Sequence, residues 1–350
     1  MQAHRPGDIL VVDGSPEFLT LASTNLGRRG HAVRVCAYAR EAREHLERHH
    51  FDALLCALDL PDGSGAELCA WVKSHDYLNT LPVAMLVDAH SLTPVGDPLT
   101  DIMRGSSSGA QPLSGAMAPD EFIIRPLRSE ELLVRVAGLL KMRRYRDEIG
   151  QTLGTLILVA QGIEEQDKRA QGHCLRLATL AVLLGAAAGC DEYELLMLER
   201  AGYLHDIGKA QIPGAILEKV EALTPREREI VREHPVLGEK LCRGVGALGG
   251  VLPIIRHHHE RFDGTGYPDR LRENQIPPLA ALFSIVDVFD SLITWRPYRP
   301  AMATWQALET LRSEVDCGFW SREFFNLFEQ KVMPIAANHL RTAGVDWPDN

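Results

Sequence analysis

Seven side chains in the C-terminal half could together do metal chemistry: His173, His205, Asp206, His234, His258, His259 and Asp287. Each falls on or at the end of a separate predicted helix, apart from the adjacent pairs in "LHDIGK" (204–209) and "RHHHERFDGTGYP" (256–268). A neutral imidazole or a carboxylate on an apolar helix face is costly unless it is paired or coordinated. A single such residue is usually a satisfied core histidine, and it is the number of them that points to a metal. Mixed imidazole and carboxylate donors suit Mn²⁺, Fe or Zn²⁺ better than Ca²⁺ or a thiolate-held ion. Seven donors exceed the needs of one tetrahedral ion, and Asp206 could bridge two. Facing helices of a bundle commonly build such dinuclear sites.

The elements that must hold these donors are helical. Apolar residues recur at three and four in "HCLRLATLAVLLGAAAG", "DEYELLMLERAGYLHD", "PREREIVREHPVLGEKL" and "LAALFSIVDVFDSLI", the period of a helix face. Asp191 and Pro225 stand near helix starts. Upstream, strand-like apolar runs alternate with helical segments: "DILVVD", "HAVRVC", "FDALLCAL", "LPVAMLV" and "DEFIIRP". Five repeats of strand and helix imply an α/β domain with a doubly wound, five-stranded parallel sheet of flavodoxin-like type. Residues 90–119, rich in Gly, Ser and Pro, read as a long inserted loop. Residues 127–165 keep helical spacing despite Gly150, Gly154 and Gly162, as a final helix running into the next domain or as a coiled-coil dimer helix. The division expected is an α/β domain over 1–140, a helical linker over 141–160 and an all-α bundle over 161–350.

Composition narrows the field. The chain of 350 residues is 45% hydrophobic and 24% charged, with a formal net charge of −10. That balance argues against nonspecific nucleic-acid or anionic-membrane binding. No apolar run reaches the length of a membrane span, and the N-terminus lacks a signal-peptide pattern. The seven cysteines are scattered without a CxxC, so they read as reduced residues of a cytoplasmic protein.

Two resemblances follow from these motifs. Over roughly 7–140, "ILVVD", "FDALLCALDLPDGSGAEL" and "FIIRPL" resemble the response-regulator receiver domain. That family carries a Mg²⁺-binding acid pair, a phosphate-accepting Asp, a hydroxyl residue and a Lys before Pro. Here Asp13 is kept, but Gly14 stands at the second acid, Ala57 at the acceptor, Val87 at the hydroxyl and Arg125 at the lysine. Asp59 lies beyond the acceptor position on the same face and is a poor substitute. The expectation is a receiver shape that folds and docks but takes no phosphate.

Over roughly 160–305, "HDIGK" with "HHERFDGTGYP", "EHPVLGEKL" and "VDVFDSL" resembles the HD-GYP family of cyclic-di-GMP phosphodiesterases. The resemblance implies a bacterial regulator that hydrolyses cyclic di-GMP to pGpG or GMP with two divalent ions. Fe or Mn is the first choice, and Zn, Ni and Mg are compatible. It makes His205, Asp206 and Lys209 catalytic, with Asp206 bridging, and gives the metals His173, His205, Asp206, His234, His258, His259 and Asp287. Lys209, Asp290, Arg296 and Arg299 would meet substrate. Gly266, Tyr267 and Pro268 would form a recognition turn for a partner such as a diguanylate cyclase. Register with "HHER" assigns His258 and His259 as ligands and leaves His257 lining the pocket. A homodimer is expected, with no nucleic acid and no membrane insertion. Departures include Arg169 and Ala170 before His173, Lys219, Val220 and Glu221 in place of a Lys-Pro-Gly turn, Arg270 and Glu273 in place of glycines, and "CGFWSREF" in place of an "FDP" pattern. A catalytically weak module that binds cyclic di-GMP and recruits a partner is the alternative, and a hydrolase of cyclic GMP-AMP is a further one.

Overall fold

The computed structural model describes residues 6–75, 77–89, 117–166, 172–219, 221–294 and 300–342. Most of the segment expected to be an inserted loop (90–116), Arg169 and Ala170, Val220, and Arg296 and Arg299 lie outside the described residues. The chain divides into two compact units, Met1–Glu148 and Ile149–Asn350.

In the first unit β1 (Asp8–Val12), β2 (Ala32–Cys36), β3 (Ala53–Ala57), β6 (Val83–Asp88) and β7 (Glu121–Arg125) form one sheet in the order β2-β1-β3-β6-β7. Every pairing in it is parallel. Two-residue strands β4 (Asp59–Leu60) and β5 (Gly63–Ser64) make a separate antiparallel hairpin. Strand side chains alternate between faces. Leu10, Val12, Leu54, Cys56, Val83 and Met85 therefore pack with α2 (Ala39–Arg48) and α3 (Gly65–Ser74). Ile9, Val11, Leu55, Ala84 and Leu86 pack instead with α1 (Pro16–Gly27) and the start of α4 (Ser129–Gln166). A sheet covered on both faces explains why its strands read as unbroken apolar runs. Ser15 caps α1, with Pro16 in its first turn.

Helix α4 runs unbroken through Gly150 and Gly154, where an added Cβ would meet nothing within 4 Å. Each glycine costs a helix about 1 kcal/mol relative to alanine. Burial of Leu132, Val136, Leu139 and Leu140 in the first unit, and of Ala160 with Leu153, Leu156 and Ile157 in the second, offsets that cost.

The second unit is a helical bundle: α5 (His173–Ala188), α6 (Glu192–Leu204), α7 (Gly214–Leu217), α8 (Pro225–Val231), α9 (His234–Cys242), α10 (Leu252–His257), α11 (Pro278–Ile293), α12 (Thr304–Asp316), α13 (Arg322–Leu327) and α14 (Met333–Thr342). Capping boxes start α6 at Asp191 with Glu194 and α8 at Thr224 with Glu227. Leu177, Leu180, Leu198, Leu204, Ile254, Phe283, Phe289 and Phe328 are among its fully buried core side chains. Among the described residues no helix is long and apolar enough to cross a membrane.

Among the described residues two non-glycine residues have positive φ, Arg270 at 56° and Glu273 at 43°. They are the positions where glycines are expected. The left-handed region costs an L-residue roughly 1–2 kcal/mol, and glycine's greater freedom in the unfolded chain cancels part of what would be recovered. Glu273→Gly is therefore expected to stabilise the helical unit by about 0.5–1 kcal/mol, read as a higher urea midpoint for its unfolding transition. An unchanged or lower midpoint contradicts the strain.

Candidate metal centre

The seven expected donors converge. Donor atoms of Asp206, His234, His258 and His259 lie within 4.8 Å of one another, as do those of His173, His205 and Asp287. Six of the seven stand at or just beyond helix ends: His173 opens α5, His205 and Asp206 follow α6, His234 opens α9, and His258 and His259 follow α10. Asp287 alone sits within a helix, α11. End positions project beyond the packed interior of their own helices into a shared space.

Local geometry fixes how the rings face. Nδ1 of His205 lies 3.2 Å from the Ala201 carbonyl, that of His234 2.7 Å from Val231, and that of His258 2.8 Å from Ile255. A carbonyl can only accept, so each Nδ1 carries a proton, and in its neutral form each ring turns a bare Nε2 inward. These bare atoms crowd together. His234 Nε2 is 3.4 Å from His258 Nε2 and 3.0 Å from Asp206 Oδ1, and His205 Nε2 is 3.4 Å from Asp206 Oδ2. His205 Nε2 and Asp206 Oδ1 are buried with no hydrogen-bond partner, despite that 3.0 Å approach. Lone pairs facing lone pairs in a buried site call for a cation. Nitrogen and carboxylate donors without a thiolate fit a pair of divalent ions.

Electrostatics agree. Burial alone would raise Asp206, but Lys209, His205 and His234 hold its carboxyl well below the usual range. Burial alone would depress His205, and Asp206 reverses this so that the ring is raised. Burial and the neighbouring rings push His258 and His259 well below the usual histidine value. They stay neutral near neutral pH, as ligands must. Lys209 pairs with Asp206.

Close backbone packing sets this geometry. A Cβ on Gly208 would lie 2.0 Å from the His234 carbonyl oxygen and 2.5 Å from the Gly238 nitrogen. Only glycine lets the turn after His205 and Asp206 rest against the start of α9. Gly266 has the same role in the loop after α10, where a Cβ would come within 2.4 Å of the Arg261 nitrogen.

The remaining expected residues are placed differently from one another. Tyr267 turns inward: its ring packs on His259 at 4.8 Å and 32°, and the Arg232 guanidinium caps it at 5.3 Å. Pro268 follows it in the same loop. His257 turns away from the ligand groups, with Nδ1 3.8 Å from Glu260 and 3.7 Å from Asp269. Asp290 corrects its expected role. It is 0% exposed, its carboxylate meets His173 and Arg176, and no part of it is open to substrate.

Sequence reasoning missed Arg176, Glu260 and Arg232. Arg176 lies one turn after His173, a spacing that places both on one face. Glu260 is 1% exposed and accepts from the Asp269 and Leu271 amides, which ties the loop together. Arg261 stacks on Phe319 and Trp320, so the unusual "CGFWS" segment braces the same loop.

At the strand ends of the first unit the acids meet a cation of the chain itself. Arg125 donates to Asp13 at 2.5 Å and to Asp88 at 2.9 Å, over the Phe18 ring. Ala57 is 1% exposed and offers no side-chain oxygen, and Asp59 lies exposed on β4.

Gly208→Ala is expected to cost about 1–3 kcal/mol and to displace His234. Its readout is loss of tight Mn²⁺ uptake in calorimetry. Uptake equal to wild type would contradict the packing constraint.

Comparison with known proteins gives two family matches. Residues 9–97 match the response regulator receiver domain, and residues 158–317 match the HD domain. The cyclic di-GMP phosphodiesterase response regulator RpfG of Xanthomonas campestris pv. campestris is 33% identical over 55% of this chain and 57% of its own length. A probable cyclic di-GMP phosphodiesterase of Vibrio cholerae is 29% identical over 84% of this chain and 71% of its own. The 3'3'-cGAMP-specific phosphodiesterase 2 of Vibrio cholerae is 35% identical over 45% of this chain and 30% of its own.

Proposed function

We propose that this chain, in which a receiver domain precedes an HD domain, is a metal-dependent phosphodiesterase of cyclic di-GMP. The observation that carries the reading is the convergence of bare imidazole nitrogens with Asp206 beside Lys209. Two divalent ions, Fe or Mn by donor type, would be held by His173, His205 and Asp287 and by Asp206, His234, His258 and His259. The contact of Asp206 with His205 of the first group supports a role for this carboxylate in both. When bound, such ions lower the pKa of water and neutralise phosphoryl charge.

The chain's own side chains supply the rest. Lys209, which pairs with Asp206 at the centre of the site, would stabilise charge on the phosphoryl oxygens. Tyr267 and the buried Glu260 hold His259 and its loop in place. Products are pGpG or GMP. A partner such as a diguanylate cyclase would meet the exposed Thr265, Asp269 and Arg270 of that loop rather than the Tyr267 ring. A homodimer through α4, which exposes Val134, Tyr145 and Leu158, is compatible with this reading.

The receiver domain in this reading carries no phosphate. Ala57 gives no acceptor oxygen, and Arg125 occupies the space between Asp13 and Asp88 where a cation would sit. Incubation with acetyl phosphate is expected to leave the intact mass unchanged. A phosphoryl adduct mapped to Asp59 would overturn this half of the proposal.

The catalytic half is tested by Mn²⁺- or Fe²⁺-loaded protein with cyclic di-GMP and with 3'3'-cGAMP, products being separated by chromatography. Wild type is expected to form pGpG or GMP, and Asp206→Ala to lose more than the roughly 10–100-fold typical of an outer-shell partner. The cGAMP-specific relative favours the second substrate as the competing reading, and faster turnover of cGAMP would establish it. Two bound metals with no turnover of either would favour a binding module.

A further inference from the structure

We propose that Asp290 is a positioning residue for His173, orienting that ring and strengthening its donor nitrogen so that the three-donor group His173, His205 and Asp287 can hold a divalent ion. The inference rests on reading the site as a two-metal centre and concerns how unequal halves are made to work.

The two donor groups differ in size, four against three. Within the three-donor group, His173 also differs from the other histidines in what stands behind its ring. His205, His234 and His258 present Nδ1 to main-chain carbonyls. His173 presents Nδ1 to a carboxylate oxygen, Asp290 Oδ2, at 2.6 Å. A carboxylate accepts more strongly than a carbonyl, so it draws on the Nδ1 proton and makes Nε2 a better donor. The shorter ligand list is thus offset by a stronger ligand.

The carboxylate is itself fixed. Arg176 donates Nε to Oδ1 at 2.6 Å and Nη2 to Oδ2 at 3.1 Å, and Thr294 donates to Oδ2 at 3.2 Å. His173 and Arg176 lie one turn apart on α5, and Asp287 and Asp290 one turn apart on α11. One face therefore carries a metal donor and its support on each helix. Donors on both carboxylate oxygens keep Asp290 in one orientation behind the His173 ring. A substrate contact needs a surface, and Asp290 has none.

The test is calorimetric titration of the full chain, stripped with chelator, with Mn²⁺ alone. Wild type is expected to take up two equivalents. In Asp290→Asn one equivalent should be retained at wild-type affinity and the other weakened 10–100-fold. Because this variant strands Arg176 in the interior, the double variant Asp290→Asn/Arg176→Met removes both charges and is titrated alongside. Two wild-type affinities in either folded variant, equal weakening of both equivalents, fewer than two equivalents in wild type, or failure of the double variant to fold would each overturn the proposal. So would unchanged Mn²⁺ binding with a raised KM for cyclic di-GMP, which would mark a substrate contact. Two equivalents in wild type with no hydrolysis would overturn the proposed function and leave this inference standing.

Discussion

Everything in the helical unit is arranged around acceptor atoms that face one another without a proton between them. His205, His234 and His258 each use Nδ1 to satisfy a main-chain carbonyl, so the nitrogens they turn inward have nothing to donate. An unsatisfied buried polar group costs about 1–3 kcal/mol, and several of them close together would oppose folding unless a cation is shared among them. The bundle tolerates this because its core lies to the side: Leu204, Ile254, Ile255, Phe283 and Val286 are fully buried next to the ligands. Metal uptake by these donors would consequently be linked to folding of this unit. Ligands held at helix ends keep their rings fixed before any ion arrives.

The two units answer the problem of clustered acids in opposite ways. At the strand ends of the receiver domain, Asp13 and Asp88 are bridged by Arg125, a cation that cannot leave. In the HD domain, Asp206 and Asp287 are met by imidazoles, whose inward lone pairs favour a cation that can enter. A guanidinium also presents a planar fork that a lysine lacks, which is why one side chain at position 125 can hold both carboxylates. The substitution at that position therefore closes the first site, while the donor types at the second leave it open.

Much of this was legible in the sequence. Apolar runs gave the five strands because both sheet faces are covered, and Asp191 and Pro225 mark helix starts through cap and first-turn preferences that act locally. The donors could be read because six of them terminate periodic segments. Depth could not be read. Asp287 and Asp290 share a face of α11, and the family resemblance assigns both to the site. The 0% exposure of Asp290 and its Arg176 partner belong to packing between α5 and α11, which no local pattern records. The contacts of the Tyr267 ring with Arg232 and His259 were equally invisible, because they join segments far apart in the chain or depend on how the loop turns.

The loop that carries Tyr267 explains how the chain tolerates two departures from glycine. Glu260 accepts from the Asp269 and Leu271 amides, Arg256 forks onto Asp269, and Arg261 lies on Phe319 and Trp320. Those contacts hold the backbone from several directions at once. Left-handed residues persist where the surroundings over-determine them, and Arg270 and Glu273 sit directly after these anchors. The loop's stiffness is not incidental, because Tyr267 is the flat surface against which His259 is held. A loop free to relax Arg270 and Glu273 would also be free to let that ring turn. The aromatic pair in "CGFWS", which replaces a different motif, provides the outer brace that keeps both the strain and the ligand in place.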